Sequence, residues 1–322
     1  MPGLRHIAFA AALAVAVPTH AGEPATEAVA IGVAGGQLHG TLLSPAEVAS
    51  PPTVLILPGS GPTDRDGNQR QLRNDSLKQL AEGLAARGIA TLRIDKRGVG
   101  ASAGAARQES ELRFDDYVAD AVAWLSLLKQ RAGAAPVFAL GHSEGALIAI
   151  LAAERIPVAG LITVAGPGFG FGTLLRRQLD AAGLPPVERA RAENMLAALE
   201  AGQAVTDVPP EWLWLFRPGV QPYLISLARH DPADALARLG VPVLVAQGTT
   251  DIQVGEADAR RLAASRSGVR LALIEGMNHV LKSAPPERSA NIATYSEPAL
   301  PVRVELVDAI ADFVREVRQT RR

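Results

Sequence analysis

The stretch Ala139-Leu-Gly-His-Ser-Glu-Gly-Ala-Leu-Ile-Ala-Ile150 decides how this chain is read. The apolar run Val137-Phe-Ala-Leu140 enters Gly141-His142-Ser143-Glu144-Gly145, and a helix-forming segment follows. In a G-x-S-x-G turn between strand and helix, the serine sits on a strained corner that exposes its Oγ. Glycines flank such a corner because a Cβ there would clash with the neighbouring strand and helix. Ala146 keeps the start of the helix close to the sheet for the same reason. The alternative is a serine that merely caps a helix after a buried strand; it leaves both glycines unexplained. The stretch therefore predicts a strand over residues 136–140, a helix over 144–154 and a nucleophilic Ser143 between them.

Outward from this turn, strand and helix patterns alternate. Residues 28–33 and 37–43 read as strands joined at Ala34-Gly35-Gly36, a tight hairpin, and residues 53–57 as a third strand. Helical spacing over 77–87 and 117–130 brackets a β-branched run at 89–94. Strands at 158–164, 241–246 and 269–274, with helices at 258–264 and 302–317, continue the alternation. An antiparallel start followed by repeated βα units predicts an α/β fold, a mostly parallel sheet with helices on both faces. Residues 170–229 break the rhythm, with helical stretches at 174–182 and 187–199 and then the aromatic segment Pro209-Pro-Glu-Trp-Leu-Trp-Leu-Phe216. They read as a helical cap inserted into a core made of residues 22–169 and 230–322. Within the cap, Trp212, Trp214 and Phe216 are candidates either for substrate contact or for packing the cap on the core.

A serine nucleophile needs a base, an acid to hold the base, and donors for the developing oxyanion. On this kind of sheet the order is Ser, acid, His. Two of the six histidines follow Ser143 at useful distance, His230 and His279. His230 precedes the helix-start pattern Asp231-Pro-Ala-Asp, whereas His279 follows a strand in Gly276-Met-Asn-His279 and is the predicted base. Asp251, just beyond the strand that ends at 246, is the predicted acid, with Asp258 the second choice and read as a solvated charge. The predicted oxyanion donors are the N–H groups of Glu144 and of Ser60, the latter in Leu57-Pro-Gly-Ser-Gly-Pro62. Those glycines do not make a phosphate loop, since the G-K-[ST] ending is missing and Pro58 and Pro62 carry no N–H. Asp64, Asp66 and Asn68 match the opening of a calcium loop, but Gly67 falls at the fourth place and no Glu sits at the twelfth. An Asx-rich turn is the reading there, and no metal or other cofactor is predicted.

Composition narrows the partners. With 32 basic against 33 acidic residues, nothing favours nucleic acid or an anionic membrane. The absence of cysteine excludes a thiol nucleophile, disulfides and thiolate-bound metal. Arg5 and His6 precede the apolar run 7–17, and Pro18-Thr-His-Ala21 follows. That is the layout of a secretory signal, too short to span a bilayer, with cleavage expected after Ala21. Export to a periplasm or the medium, and no membrane span in the mature chain, follow as expectations. The pattern points to no particular oligomeric state.

Taken together, these motifs resemble the α/β-hydrolase superfamily. More narrowly they resemble bacterial exported serine hydrolases of the S33-type peptidase and cinnamoyl-esterase-like branches. The resemblance rests on Pro58-Gly-Ser-Gly-Pro62 with Thr63-Asp-Arg-Asp-Gly67, Asp95-Lys-Arg-Gly-Val-Gly-Ala-Ser102, Gly141-His-Ser-Glu-Gly145, Gly248-Thr-Thr-Asp251 and Met277-Asn-His279. It implies the α/β-hydrolase fold, structural roles for Asp95 and Arg97 beneath the site, and Ser143, His279 and Asp251 as a triad acting on a small-molecule ester. Many relatives have His-Gly where this chain has Pro58-Gly59, so the second oxyanion donor departs from the pattern. Peptide or amide hydrolysis, and a catalytically silent ligand-binding protein, are the alternative readings, since one fold hosts many chemistries.

Overall fold

The computed structural model describes residues 22–321 except Glu47 and Arg107, so the expected signal segment, residues 1–21, lies outside the described residues. The described residues open with the hairpin of β1 (Ala25–Val33) and β2 (Gly36–Ser44), paired from Ala25 against Ser44 to Val33 against Gly36. The turn needs Gly35, whose φ of 101° lies in the left-handed region open to glycine. The hairpin runs three residues further towards the N-terminus than its apolar pattern indicates, because Ala25, Thr26 and Glu27 are exposed and held by pairing alone.

From there the βα rhythm sets in: β3 (Thr53–Leu57), α1 (Ser76–Ala85), β4 (Ala90–Ile94), α2 (Phe114–Ala132), β5 (Val137–His142), α3 (Glu144–Arg155) and β6 (Leu161–Val164). Four longer or shorter helices follow, α4 (Phe171–Ala181), α5 (Pro186–Glu200), α6 (Leu213–Phe216) and α7 (Gln221–Leu227), and then α8 (Pro232–Ala237). The chain returns to the sheet through β7 (Val243–Gly248), α9 (Glu256–Ala264) and β8 (Val269–Ile274) and ends with α10 (Arg288–Ala293) and α11 (Val304–Thr320). Among the described residues, eight strands lie in the order β1-β2-β4-β3-β5-β6-β7-β8. β1 and β2 are antiparallel to their neighbours, and all other pairs are parallel.

Every residue of β3, β4, β5, β6 and β7 is buried, as strands covered on both faces must be. Alternate side chains serve two separate cores. Leu55, Leu57, Ala139 and Leu161 face α2 and α3, packing with Trp124 and Ile148. Val54, Ile56, Phe138, Leu140 and Ile162 face α1 and α11, packing with Leu80, Ile310 and Val314. Each such aliphatic or aromatic side chain contributes roughly 1.5–3 kcal/mol by leaving water. The parallel strands bring the loops after β3, β4, β5, β7 and β8 to one edge of the sheet, the carboxyl edge where open α/β sheets bind ligands.

Candidate active site

The turn after β5 is built as its sequence requires. Ser143 has φ 54° and ψ −126°, a positive φ that a β-carbon disfavours at a cost of order 1–3 kcal/mol. Its N–H donates to Val164 O at 2.9 Å and its carbonyl accepts from Ala146 N at 2.9 Å, so the strain is held from both sides. A Cβ on Gly141 would strike the backbone of Gly145 and Ala146, and one on Gly145 would strike that of Leu57 and Pro58. Both glycines are thus required by close approach, and Ser143 is lifted to the sheet edge at the N-terminus of α3.

His279 arrives from the loop after β8. Its Nε2 lies 3.1 Å from Ser143 Oγ and its Nδ1 lies 2.8 Å from Asp251 Oδ2. Asp251 follows β7 and its side chain is fully buried. Its Oδ1 accepts the N–H groups of Gln253 at 2.8 Å and Val254 at 3.0 Å, and Gln247 Nε2 donates to Oδ2 at 3.2 Å. Burial alone would raise the Asp251 carboxyl, but the adjoining imidazole and these hydrogen bonds outweigh it and hold the group below its ordinary range. The structure brings Ser143, His279 and Asp251, 28 and 136 residues apart in the chain, into one hydrogen-bonded line.

The loop after β3 lies against this line. A Cβ on Gly59 would stand 3.0 Å from the Ser143 Cβ, so the backbone of residues 59–60 passes directly beside the serine. Ser60 is exposed, and its carbonyl accepts from Thr63 Oγ1 at 2.8 Å. Glu144 opens α3, so its N–H belongs to the unpaired first turn at the positive end of the helix dipole.

The neighbouring sequence features serve as supports. Asp95 accepts from Arg65 N at 2.8 Å, Arg65 Nη2 at 2.6 Å and Ala101 N at 2.8 Å. Arg97 pairs in bidentate fashion with Asp120 of α2 at 2.6 and 2.9 Å. Asp64 Oδ1 accepts the N–H groups of Asp66 and Asn68, both at 2.9 Å, while Asp66 pairs with Arg93; the run closes as an Asx turn. The segment after His279 folds back on the acid loop rather than facing solvent throughout. Asn291 Nδ2 donates to Thr250 O at 2.8 Å, and buried Lys282 donates to Glu297 O at 2.8 Å and Leu300 O at 2.5 Å.

One expectation is corrected here. Asp258 is no solvated charge: it is 1% exposed, accepts Gly168 N–H at 2.9 Å and pairs with Arg177 at 3.2 Å, which ties α9 to the turn after β6. Of the cap aromatics, Trp212 and Phe216 pack inside the protein. They are four residues apart on one helical face, buried with ring centroids 6.0 Å apart, and Trp212 Nε1 donates to Glu188 at 3.1 Å. Trp214, on the opposite face, is 68% exposed. The His230 ring lies tilted against Phe114, centroids 5.6 Å apart, and its neighbour Asp231 caps α8.

Sequence reading passed over two residues that border the site. His142 Nε2 donates to the His279 carbonyl at 2.8 Å, and the two rings lie 5.0 Å apart. Burial first, then the repulsion of His279, pushes its pKa down to about 4, so it is the neutral imidazole that bonds the histidine loop. Lys96, directly after β4, is 4% exposed and donates to Gly59 O. The signal for both was position: each lies at the carboxyl end of a fully buried strand.

A family model described as serine aminopeptidase, S33, matches residues 74–201. The esterase EstD of Thermotoga maritima is 29% identical over 261 residues, 78% of this chain; the match spans 60% of that relative's length. Among solved structures, Est1E from Butyrivibrio proteoclasticus superposes with a TM-score of 0.59 at 19% identity, over 91% of this chain and 99% of that one. The Pyrococcus furiosus esterase Pf2001 gives 0.58 at 17% identity, over 91% of each chain. Sheet order, helices on both faces and the likeness to these solved structures agree: the chain has the α/β-hydrolase fold.

Proposed function

We propose that the chain is an exported serine hydrolase that cleaves small carboxylic esters through an acyl-enzyme. The observation that carries this is the unbroken line Ser143 Oγ, His279 imidazole, Asp251 carboxylate, at 3.1 and 2.8 Å, with the serine on a strained turn. Ser143 Oγ attacks the acyl carbon as His279 Nε2 takes its proton, and Asp251 holds the Nδ1–H and steadies the imidazolium. The Ser60 and Glu144 N–H groups receive the oxyanion, and His279 returns the proton to the leaving alcohol. Water, deprotonated by His279, then attacks the acyl-enzyme, and the acid departs with Ser143 regenerated. No step draws on a cofactor. The helices α4–α7, inserted between β6 and β7, act as a cap.

The likeness to EstD and to esterase structures supports the ester preference. Hydrolysis of p-nitrophenyl acetate and butyrate by the wild type, lost in Ser143→Ala, is the expected result; hydrolysis persisting near wild-type rate in that variant overturns the proposal. The aminopeptidase family match favours amide cleavage as a second reading, which requires His279 to protonate a poorer leaving group. Aminoacyl-naphthylamides run beside the esters distinguish the two. Export rests on residues 1–21, and a mature N-terminus beginning at Gly22 is the expected outcome of N-terminal sequencing of the exported protein.

A further inference from the structure

One buried cation touches Glu144, which carries one proposed oxyanion donor, and the Gly59 carbonyl, which shares a peptide unit with the other, the Ser60 N–H. Lys96 Nζ donates to Gly59 O and lies 3.9 Å from Glu144 Oε1, with side-chain exposures of 3% for Lys96 and 12% for Glu144. The ammonium also lies 5.2 Å from the centre of the Tyr117 ring, which confines it from α2. We propose that Lys96 is the positioning residue of the oxyanion hole, clamping the Gly59–Ser60 peptide and the first residue of α3 in the geometry that receives the tetrahedral oxyanion. The inference rests on the serine-hydrolase reading.

The physical link is the planarity of the peptide. Gly59 C=O and Ser60 N–H belong to one rigid trans unit and point in opposite directions. A donor fixed on the oxygen therefore fixes the N–H, and aims it away from Lys96. Gly59 itself has no side chain to resist rotation of that unit, and its α-carbon packs on Ser143. Thr63 Oγ1, bonded to Ser60 O at 2.8 Å and itself held by Gln69 at 2.8 Å, anchors the next peptide. Only Lys96 holds the one between, among the described residues. Drawing charge towards the Gly59 oxygen also polarises the Ser60 N–H, a cooperative strengthening along a hydrogen-bonded chain.

The geometry answers why a cation is buried here despite its desolvation. Burial pushes the Lys96 pKa down, and the Glu144 carboxylate opposes that shift. A neutral amine would still donate to Gly59 O, so the clamp does not depend on the charge state. Other long residues could fill the space after β4, but an apolar one leaves the Gly59 carbonyl without a partner and Glu144 without a counter-charge.

The test compares an ordinary carboxylic ester with its thionoester, in which sulfur replaces the carbonyl oxygen and fits poorly between N–H donors. Wild type is expected to favour the oxygen ester. In Lys96→Met, kcat for the oxygen ester should fall about 10- to 100-fold, below the effect of deleting a donor outright, with KM little changed. The ratio of oxygen ester to thionoester should collapse towards one, which a general loss of folded protein does not cause. If Lys96→Met fails to fold because Glu144 is left unpaired, Lys96→Met with Glu144→Gln removes both charges together, with Glu144→Gln alone as reference. A folded variant lacking Lys96 that keeps the wild-type ratio overturns the proposal. A wild type inert to both esters overturns the hydrolase reading itself, and this inference with it.

Discussion

Replacing Asp251 by Asn tests the reading of the site most directly, because the surrounding donors dictate how the amide must sit. Two backbone N–H groups, from Gln253 and Val254, converge on Oδ1 at 2.8 and 3.0 Å. They demand an acceptor there, so the carbonyl oxygen of the substituted side chain takes that place. The amide nitrogen then occupies the Oδ2 position, facing His279 Nδ1 at 2.8 Å and Gln247 Nε2 at 3.2 Å. An NH2 group facing Nδ1 stabilises the tautomer in which Nδ1 accepts and Nε2 carries the proton. Such an imidazole presents N–H, not a lone pair, to Ser143 Oγ 3.1 Å away and does not take its proton. The expected loss in kcat is about 10⁴-fold, the size such a swap has in a serine protease triad, or about 5.5 kcal/mol of barrier. KM should change little, since the Asp251 side chain is fully buried behind His279. Steady-state hydrolysis of p-nitrophenyl butyrate, with circular dichroism to show an intact fold, measures this. A folded Asp251→Asn variant within tenfold of wild type refutes the reasoning.

Other outcomes follow from the same geometry. The folded pKa of His142, about 4, lies below its free value of 6.5, so the unfolded chain binds the extra proton. Stability should be level above about pH 6.5 and fall by about 3 kcal/mol towards pH 4 on this account; urea unfolding at several pH values should show a shallower fall for His142→Gln. Asp95→Asn breaks a buried pair with Arg65 and should cost about 3–5 kcal/mol in the same assay. Trp212→Ala should cost about 3–5 kcal/mol, whereas Trp214→Ala, at an exposed side chain, should change stability by no more than about 0.5 kcal/mol. Equal losses for the two tryptophans contradict the burial described above.

Much of this was legible in the chain itself. The elbow could be read because G-x-S-x-G between an apolar strand and a helix leaves few backbones available, and the α/β alternation because buried parallel strands are short apolar runs. The order of Ser143, Asp251 and His279 could be read because parallel strands deliver successive loops to one edge. Periodicity does not report distance, and what it left open was decided by packing across the sheet. Asp258 and Lys96 are charges by type, and only partners from distant segments, Gly168 and Arg177 for one and Gly59 and Glu144 for the other, make their burial tolerable. Likewise Trp212 and Trp214 are the same residue two positions apart, and helix geometry turns one into a core and the other into water. Local sequence thus specified which elements form and which groups reach the rim of the sheet; the tertiary structure specified which charges are neutralised, because neutralisation depends on neighbours that the chain brings together only when folded.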